Sequence, residues 1–255
     1  MIFDAHTHWS ASWQLADRTD PSHWLSVWNR HGIARGVVLP MAGLEDDHQL
    51  KRDNDELSAA AARSGGRMIP FCTANPHDEH EAAKELTRCH ADLKMRGLKF
   101  HPWLQGCSPS SRGVDAACEM AAEFRMPVLF HDGTPSFSLP SQITVLARRH
   151  PRLTVVLGHC GIFYHWREAI AAMRYAENLW GCLCSPYPAA LAEIVRQCDT
   201  GRLLWGSDHG FGNSDMVGYR LGLMDLLGLN SRQREAILWE NARRLLGIDR
   251  ELNCR

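Results

Sequence analysis

Short apolar runs rich in β-branched residues alternate along this chain with longer stretches whose apolar positions recur at helical spacing. The short runs cover residues 2–5, 34–39, 68–72, 97–100, 127–130, 153–157, 179–183 and 202–205. Between and after them, helical periodicity covers residues 24–31, 53–64, 78–95, 115–125, 140–149, 164–175, 188–197, 215–227 and 232–246. Asn230 or Ser231 suits an N-cap for the last stretch, and Gly247 suits its stop. Strand-then-helix repetition predicts βα units on a parallel sheet. Eight such units within 255 residues predict a closed (β/α)8 barrel as a single domain over residues 1–255. The competing open sheet would carry a glycine-rich turn after its first strand if it held a dinucleotide. Here that strand runs into His6-Thr7-His8, and Gly210-Phe211-Gly212 follows the last strand instead.

Composition narrows the class without changing the fold. The chain is 45% hydrophobic and 22% charged, ordinary for a globular domain. A formal net charge of −1 does not steer the chain toward nucleic acid or an acidic membrane surface. No apolar run reaches the ~20 residues of a membrane span, and the first residues lack a secretory pattern. Nine cysteines at irregular spacing, with Cys182-x-Cys184 the closest pair, predict reduced thiols in a cytoplasmic protein. The expected partner is a small-molecule substrate.

In such a barrel the chemistry gathers where strands end. The first strand ends in Asp4-Ala5-His6-Thr7-His8, the fourth in Lys99-Phe100-His101-Pro102, the fifth in His131-Asp132-Gly133. The sixth ends in Gly158-His159-Cys160-Gly161 and the eighth in Gly206-Ser207-Asp208. Side chains two apart on a strand share a face, so His6 and His8 can converge on one ion, and Lys99 and His101 lie on one side of the fourth strand. Imidazoles plus a carboxylate suit zinc with a coordination position left open. Alone, Asp208 would suit a helix N-cap and any one histidine a structural role; coincidence at five strand ends argues for chemistry. His80 and His90, on predicted helices, are expected to be solvated.

These motifs, in this order, resemble the amidohydrolase superfamily, and more narrowly its branch that includes the aminocarboxymuconate semialdehyde decarboxylase-like enzymes. The resemblance spans the chain, down to Glu240-Asn241-Ala242-Arg243-Arg244-Leu245-Leu246. It implies a metal-dependent hydrolase that attacks an amide, ester or lactone bond of a small organic substrate with metal-activated water. Nonoxidative decarboxylation of an aromatic or unsaturated acid is the alternative, and an inactive ligand-binding barrel the third reading. By resemblance His6, His8, His131 and Asp208 are metal ligands, for one zinc ion rather than two, with manganese as the other candidate. Asp208 is also the base, His159 an acid/base or electrophilic group, and Lys99 and His101 substrate or supporting contacts. In binuclear relatives a lysine on the fourth strand, the position Lys99 matches, is carboxylated and bridges two metals. Relatives often form homodimers. The chain departs from the family at Asp132, where threonine is common, and at His209-Gly210, where an aromatic-proline pair is common. Arg112 and Arg167 are the candidate cations for a leaving carboxylate. Trp9, Trp13, Trp103, Phe137, Phe163, Tyr164, Tyr187 and Phe211 are candidate aromatic walls of the mouth.

Overall fold

The computed structural model describes residues 1–9, 20–210 and 215–248. Eight strands pair in parallel and in sequence order: β1 (Ile2–His8), β2 (Ile33–Leu39), β3 (Met68–Cys72), β4 (Gly97–Phe100), β5 (Val128–Phe130), β6 (Val155–Leu157), β7 (Leu179–Cys182) and β8 (Leu203–Leu204). The last strand returns to the first through Ala5 N–H to Trp205 O (2.9 Å) and Asp208 N–H to His6 O (2.8 Å). A parallel bridge between Thr7 and His209 completes that seam. The ring is a (β/α)8 barrel, as the alternation predicts.

The helices lie between strands in chain order: α1 (Pro21–Arg30), α2 (Ala42–Glu45), α3 (Leu50–Ala62), α4 (Glu79–Ala91), α5 (Arg112–Glu123), α6 (Pro140–Arg149), α7 (Trp166–Tyr175) and α8 (Pro188–Gln197). After β8 come α9 (Asp215–Asp225), α10 (Ser231–Glu235), a π-helical turn over Ala236–Glu240, and α11 (Asn241–Leu245). The short α2 lies outside the predicted stretches; four residues show no helical period. The first helix starts earlier than the apolar pattern does, because Asp20 caps it by accepting from Ser22 N–H (3.0 Å) and Pro21 opens it. Asn230 is the N-cap of α10 in a reciprocal capping box with Gln233, and Gly247, at φ 57°, ends the final run.

Two apolar layers follow from strand alternation. The larger packs strand side chains such as Leu98, Phe100, Val128 and Phe130 against the helices. The smaller joins residues of seven strands, among them Phe3, Val37, Phe71, Leu129, Val156, Cys182 and Leu204, to one another. Side chains from so many strands can meet only inside the ring. Trp239, Ala242 and Leu246 of the C-terminal run join that inner cluster. The thiols behave as predicted: no disulfide forms among the described residues, and seven of the eight described cysteines are buried. No described helix is long and apolar enough to cross a membrane. His80 is exposed, but His90 is half-buried and stacks on Phe124 at 4.3 Å between ring centres, so it is not simply solvated.

Candidate metal centre

The C-terminal end of β1 carries His6 and His8 to one point. His6 Nε2 lies 3.1 Å from His8 Nε2, and Asp208 Oδ1 lies 3.1 Å from His8 Nε2 and 3.5 Å from His6 Nε2. Gly206 lets the strands approach this closely: a Cβ there would stand 2.7 Å from both Cys182 Sγ and His6 Cβ. Asp208 sits at φ 57°, a left-handed conformation costly for a non-glycine residue, which recurs at functional turns. Trp24 of α1 adds a tie to the same strand end, donating from Nε1 to His8 O (3.1 Å).

The electrostatics fit a cation at this point. His6 Nδ1 lies 3.0 Å from Gly158 O, which can only accept, so the ring proton is on Nδ1 and Nε2 offers a lone pair. One proton on His8 cannot serve His6 Nε2 and Asp208 Oδ1 together, whereas a divalent ion between them serves all three atoms. Burial keeps both imidazoles neutral, with His6 pushed well below the usual histidine range and His8 lowered. Burial pushes Asp208 up, but the His8 hydrogen bond and the facing imidazoles outweigh it and hold the carboxylate ionised. Its side chain remains about a quarter exposed, facing the mouth. The Asp208 side chain caps no helix among the described residues.

The other predicted groups form a second tier. His131 stacks flat on His101 (3.8 Å between centres, 13°) and meets His159 edge-on at 4.4 Å. Its Nε2 lies 3.2 Å from Thr134 Oγ1, and it stands outside the triangle of His6, His8 and Asp208. Burial, then the Lys99 charge, pushes His131 down to about 3; burial, then His131, pushes His101 far below its ordinary value. Lys99 is fully buried inside the ring and its Nζ has no hydrogen-bond partner among the described residues. Burial lowers it to about 8, against the pull of Asp208. His159 packs on His6 at 4.7 Å, and its buried Nε2 has no partner among the described residues.

Three further residues build the site and were not singled out by spacing. Asp132, fully buried, accepts from His159 N–H and Gly161 N–H at 2.6 Å each. Asp4, equally buried, accepts from Ser207 N–H (2.9 Å), Ser207 Oγ–H (2.5 Å) and His6 N–H (3.2 Å). Ser185, after β7, lies 2.7 Å from His159 Nδ1. Asp132 was visible as a departure from the family pattern; Asp4 and Ser185 depend on contacts across strands. Of the candidate cations, Arg112 is exposed at the start of α5, and Arg167 lies over Trp166 (4.0 Å) on the outer face between α7 and α8. Among the aromatics, Trp9 is buried against Trp24 and belongs to the core, while Trp103, Phe163, Tyr164 and Tyr187 are exposed and Phe137 is half-buried. Trp13 and Phe211 lie outside the described residues.

Comparison with known proteins follows the same lines. The family model described as amidohydrolase matches residues 3–248. No curated protein matches the chain. A dihydroxybenzoic acid decarboxylase from Polaromonas sp. JS666, solved with manganese and the inhibitor 2-nitroresorcinol, superimposes with a TM-score of 0.76 at 16% identity, over 99% of this chain and 98% of its own. A 2,6-dihydroxybenzoate decarboxylase from Rhizobium gives 0.73 at 18% identity, over 97% and 98%. An Acinetobacter baumannii protein described as a 2-pyrone-4,6-dicarboxylic acid hydrolase, with citric acid bound, gives 0.72 at 13% identity, over 96% and 99%. At such identities these likenesses concern the fold.

Proposed function

The chain belongs to the amidohydrolase family of enzymes, and from that premise we propose that it is a metal-dependent hydrolase of an amide, ester or lactone bond in a small organic substrate. The observation that carries the proposal is the triangle of His6 Nε2, His8 Nε2 and Asp208 Oδ1, no side longer than 3.5 Å. His6, His8 and Asp208 would hold one divalent ion, zinc or manganese, with His131 completing the set by turning away from Thr134. When bound, the ion would supply Lewis-acid polarisation and ready ionisation of water near neutral pH.

The chain's own groups do the rest. Asp208, kept ionised and partly exposed, is placed to accept the proton of the attacking water. His159 offers a buried Nε2, without a partner among the described residues, at which a substrate proton can be held. Lys99 and His101 line the wall beside it, where the Lys99 Nζ can meet a carboxylate or oxyanion. The exposed Trp103, Phe163, Tyr164 and Tyr187 suit a substrate with a flat or apolar part.

Asp208→Asn tests this reading. The variant is expected to keep the barrel, seen by circular dichroism, and to lose at least about 100-fold in turnover, the usual worth of a general base. Full turnover in that variant would remove Asp208 as the base. Lys99 favours a second reading: a buried cation without a partner among the described residues can receive a leaving carboxylate, as nonoxidative decarboxylation requires. Parallel assays of CO2 release and of hydrolysis, across lactones, amides and aromatic acids with zinc or manganese supplied, separate the two. Stoichiometric metal in the protein as purified argues against a barrel that only binds ligand.

A further inference from the structure

The hydrogen-bond partners of His159 determine which of its nitrogens carries the ring proton. Its Nδ1 has two neighbours on the segment after β7: Ser185 Oγ at 2.7 Å and Cys184 Sγ at 3.2 Å. Cys184 Sγ lies 2.9 Å from Gly158 O, too close for thiol and carbonyl to meet without the thiol proton between them. The thiol is therefore the donor there, and it turns a sulfur lone pair toward His159 Nδ1. The Ser185 hydroxyl has Cys184 Sγ within reach at 3.6 Å as an acceptor for its own proton. One assignment places every proton: His159 Nδ1–H donates to Ser185 Oγ, Ser185 O–H to Cys184 Sγ, and Cys184 S–H to Gly158 O. Gly158 O also receives His6 Nδ1–H, so a single carbonyl and its two neighbours organise both rings. The opposite assignment, with Ser185 donating to Nδ1, sets nitrogen and sulfur lone pairs face to face at 3.2 Å. It also leaves an N–H on the buried Nε2 with no acceptor among the described residues.

We propose that Cys184 and Ser185 are positioning residues that lock His159 as the Nδ1-protonated tautomer, so that its Nε2 meets the substrate as a lone pair. The consequence is a substrate class. The atom seated against His159 carries its own proton, as a hydroxyl, a carboxylic acid or water does; a bare carbonyl oxygen would face lone pair to lone pair. This deepens the functional reading without depending on whether the bond broken is C–N, C–O or C–C.

The test reads the ring directly. Protein labelled with 15N-histidine is examined by long-range 1H–15N correlation at pH 8, as purified and after loading with zinc, with His159→Gln identifying the His159 signals. The expected result is a protonated-type shift at Nδ1 and an unprotonated-type shift at Nε2. In the Ser185→Ala/Cys184→Ala double variant the two nitrogens are expected to move toward averaged shifts, while Ser185→Thr keeps the wild-type pattern. A wild-type ring protonated at Nε2, or a double variant with unchanged shifts, overturns the proposal. If the double variant does not fold, the wild-type tautomer alone decides. The measurement needs no substrate, so failure of the hydrolase reading would show as absent turnover with the tautomer unaffected.

Discussion

Two buried aspartates on opposite sides of the barrel, Asp132 after β5 and Asp4 on β1, hold the turns that carry His159 and Asp208, and they do it differently. Asp132 gives one oxygen to His159 N–H and the other to Gly161 N–H, both at 2.6 Å. The turn it grips is strained: Cys160, Gly161 and Ile162 lie at φ 47°, 86° and 51°, and a β-branched residue is especially poor there. Asp4 gives one oxygen to two backbone N–H groups and the other to the Ser207 hydroxyl, which can reverse its proton. Burial pushes both carboxyls up to about 7, with their hydrogen bonds pulling the other way. Burial alone does not reveal which matters more; the assignment of donors to oxygens does.

The largest effect should come from Asp132→Asn. One amide face would turn an NH2 against a backbone N–H, and a buried donor left unsatisfied costs about 1–3 kcal/mol. Releasing the strained 160–162 turn also displaces His159. We expect a loss of about 3 kcal/mol in urea unfolding, together with a large fall in turnover. A loss below about 1 kcal/mol would mean that the turn holds itself and that the carboxylate only fills space.

Asp132 also marks how far the sequence could be read. All eight strands were legible, because short apolar runs set between helical stretches are a local signal, and β3 and β4 match to the residue. The meeting of His6, His8 and Asp208 was legible because His6 and His8 are two apart on one strand and Asp208 follows the end of another. The placement of His131 was not: its stacking on His101 and its Thr134 contact depend on how β4 and β5 sit side by side. The clamps were hidden for the same reason. Asp4 contacts a residue about 200 positions away, and the register of β1 against β2 slips between Asp4 and Thr7, so alternation counted from His6 does not carry back to it. The polarity of Asp132 in a family position usually held by threonine was the one visible signal of a clamp.

A third buried aspartate sharpens the contrast. Asp53 of α3 uses a single oxygen for both Met41 N–H and Gly43 N–H, at 2.9 Å each. Asparagine can reproduce that arrangement with its carbonyl. Burial raises Asp53 to about 6, although the two N–H groups pull it down. The folded-state value thus exceeds the ordinary 3.8, so the contribution of Asp53 to stability is complete below about pH 4 and is lost as pH rises through 6. Asp53→Asn removes that dependence. The difference in stability between variant and wild type should therefore shift in favour of the variant by roughly 2 kcal/mol between pH 4 and pH 7.5. Urea unfolding of both proteins at the two pH values measures it, since other titrations cancel. A constant difference would mean that the carboxyl stays ionised throughout.

The smallest effect is expected where the donor pattern is most forgiving. In Asp4→Asn the amide oxygen keeps the Ser207 and His6 N–H groups, and the amide NH2 donates to Ser207 Oγ after the hydroxyl turns its proton away. Every backbone N–H stays paired and a buried charge is removed, so the cost is confined to the Ser207 hydroxyl proton and should stay at about 1 kcal/mol, the low end for one buried donor. Turnover should fall less than in Asp132→Asn, because Asp208 N–H remains tied to His6 O at 2.8 Å. Adding Ser207→Ala to Asp4→Asn removes the acceptor for that NH2 and should restore a penalty of about 1–3 kcal/mol, the size expected for an orphaned buried donor. If Asp4→Asn alone were as damaging as Asp132→Asn, the negative charge at Asp4, rather than its pattern of acceptors, would be what secures the β1–β8 seam.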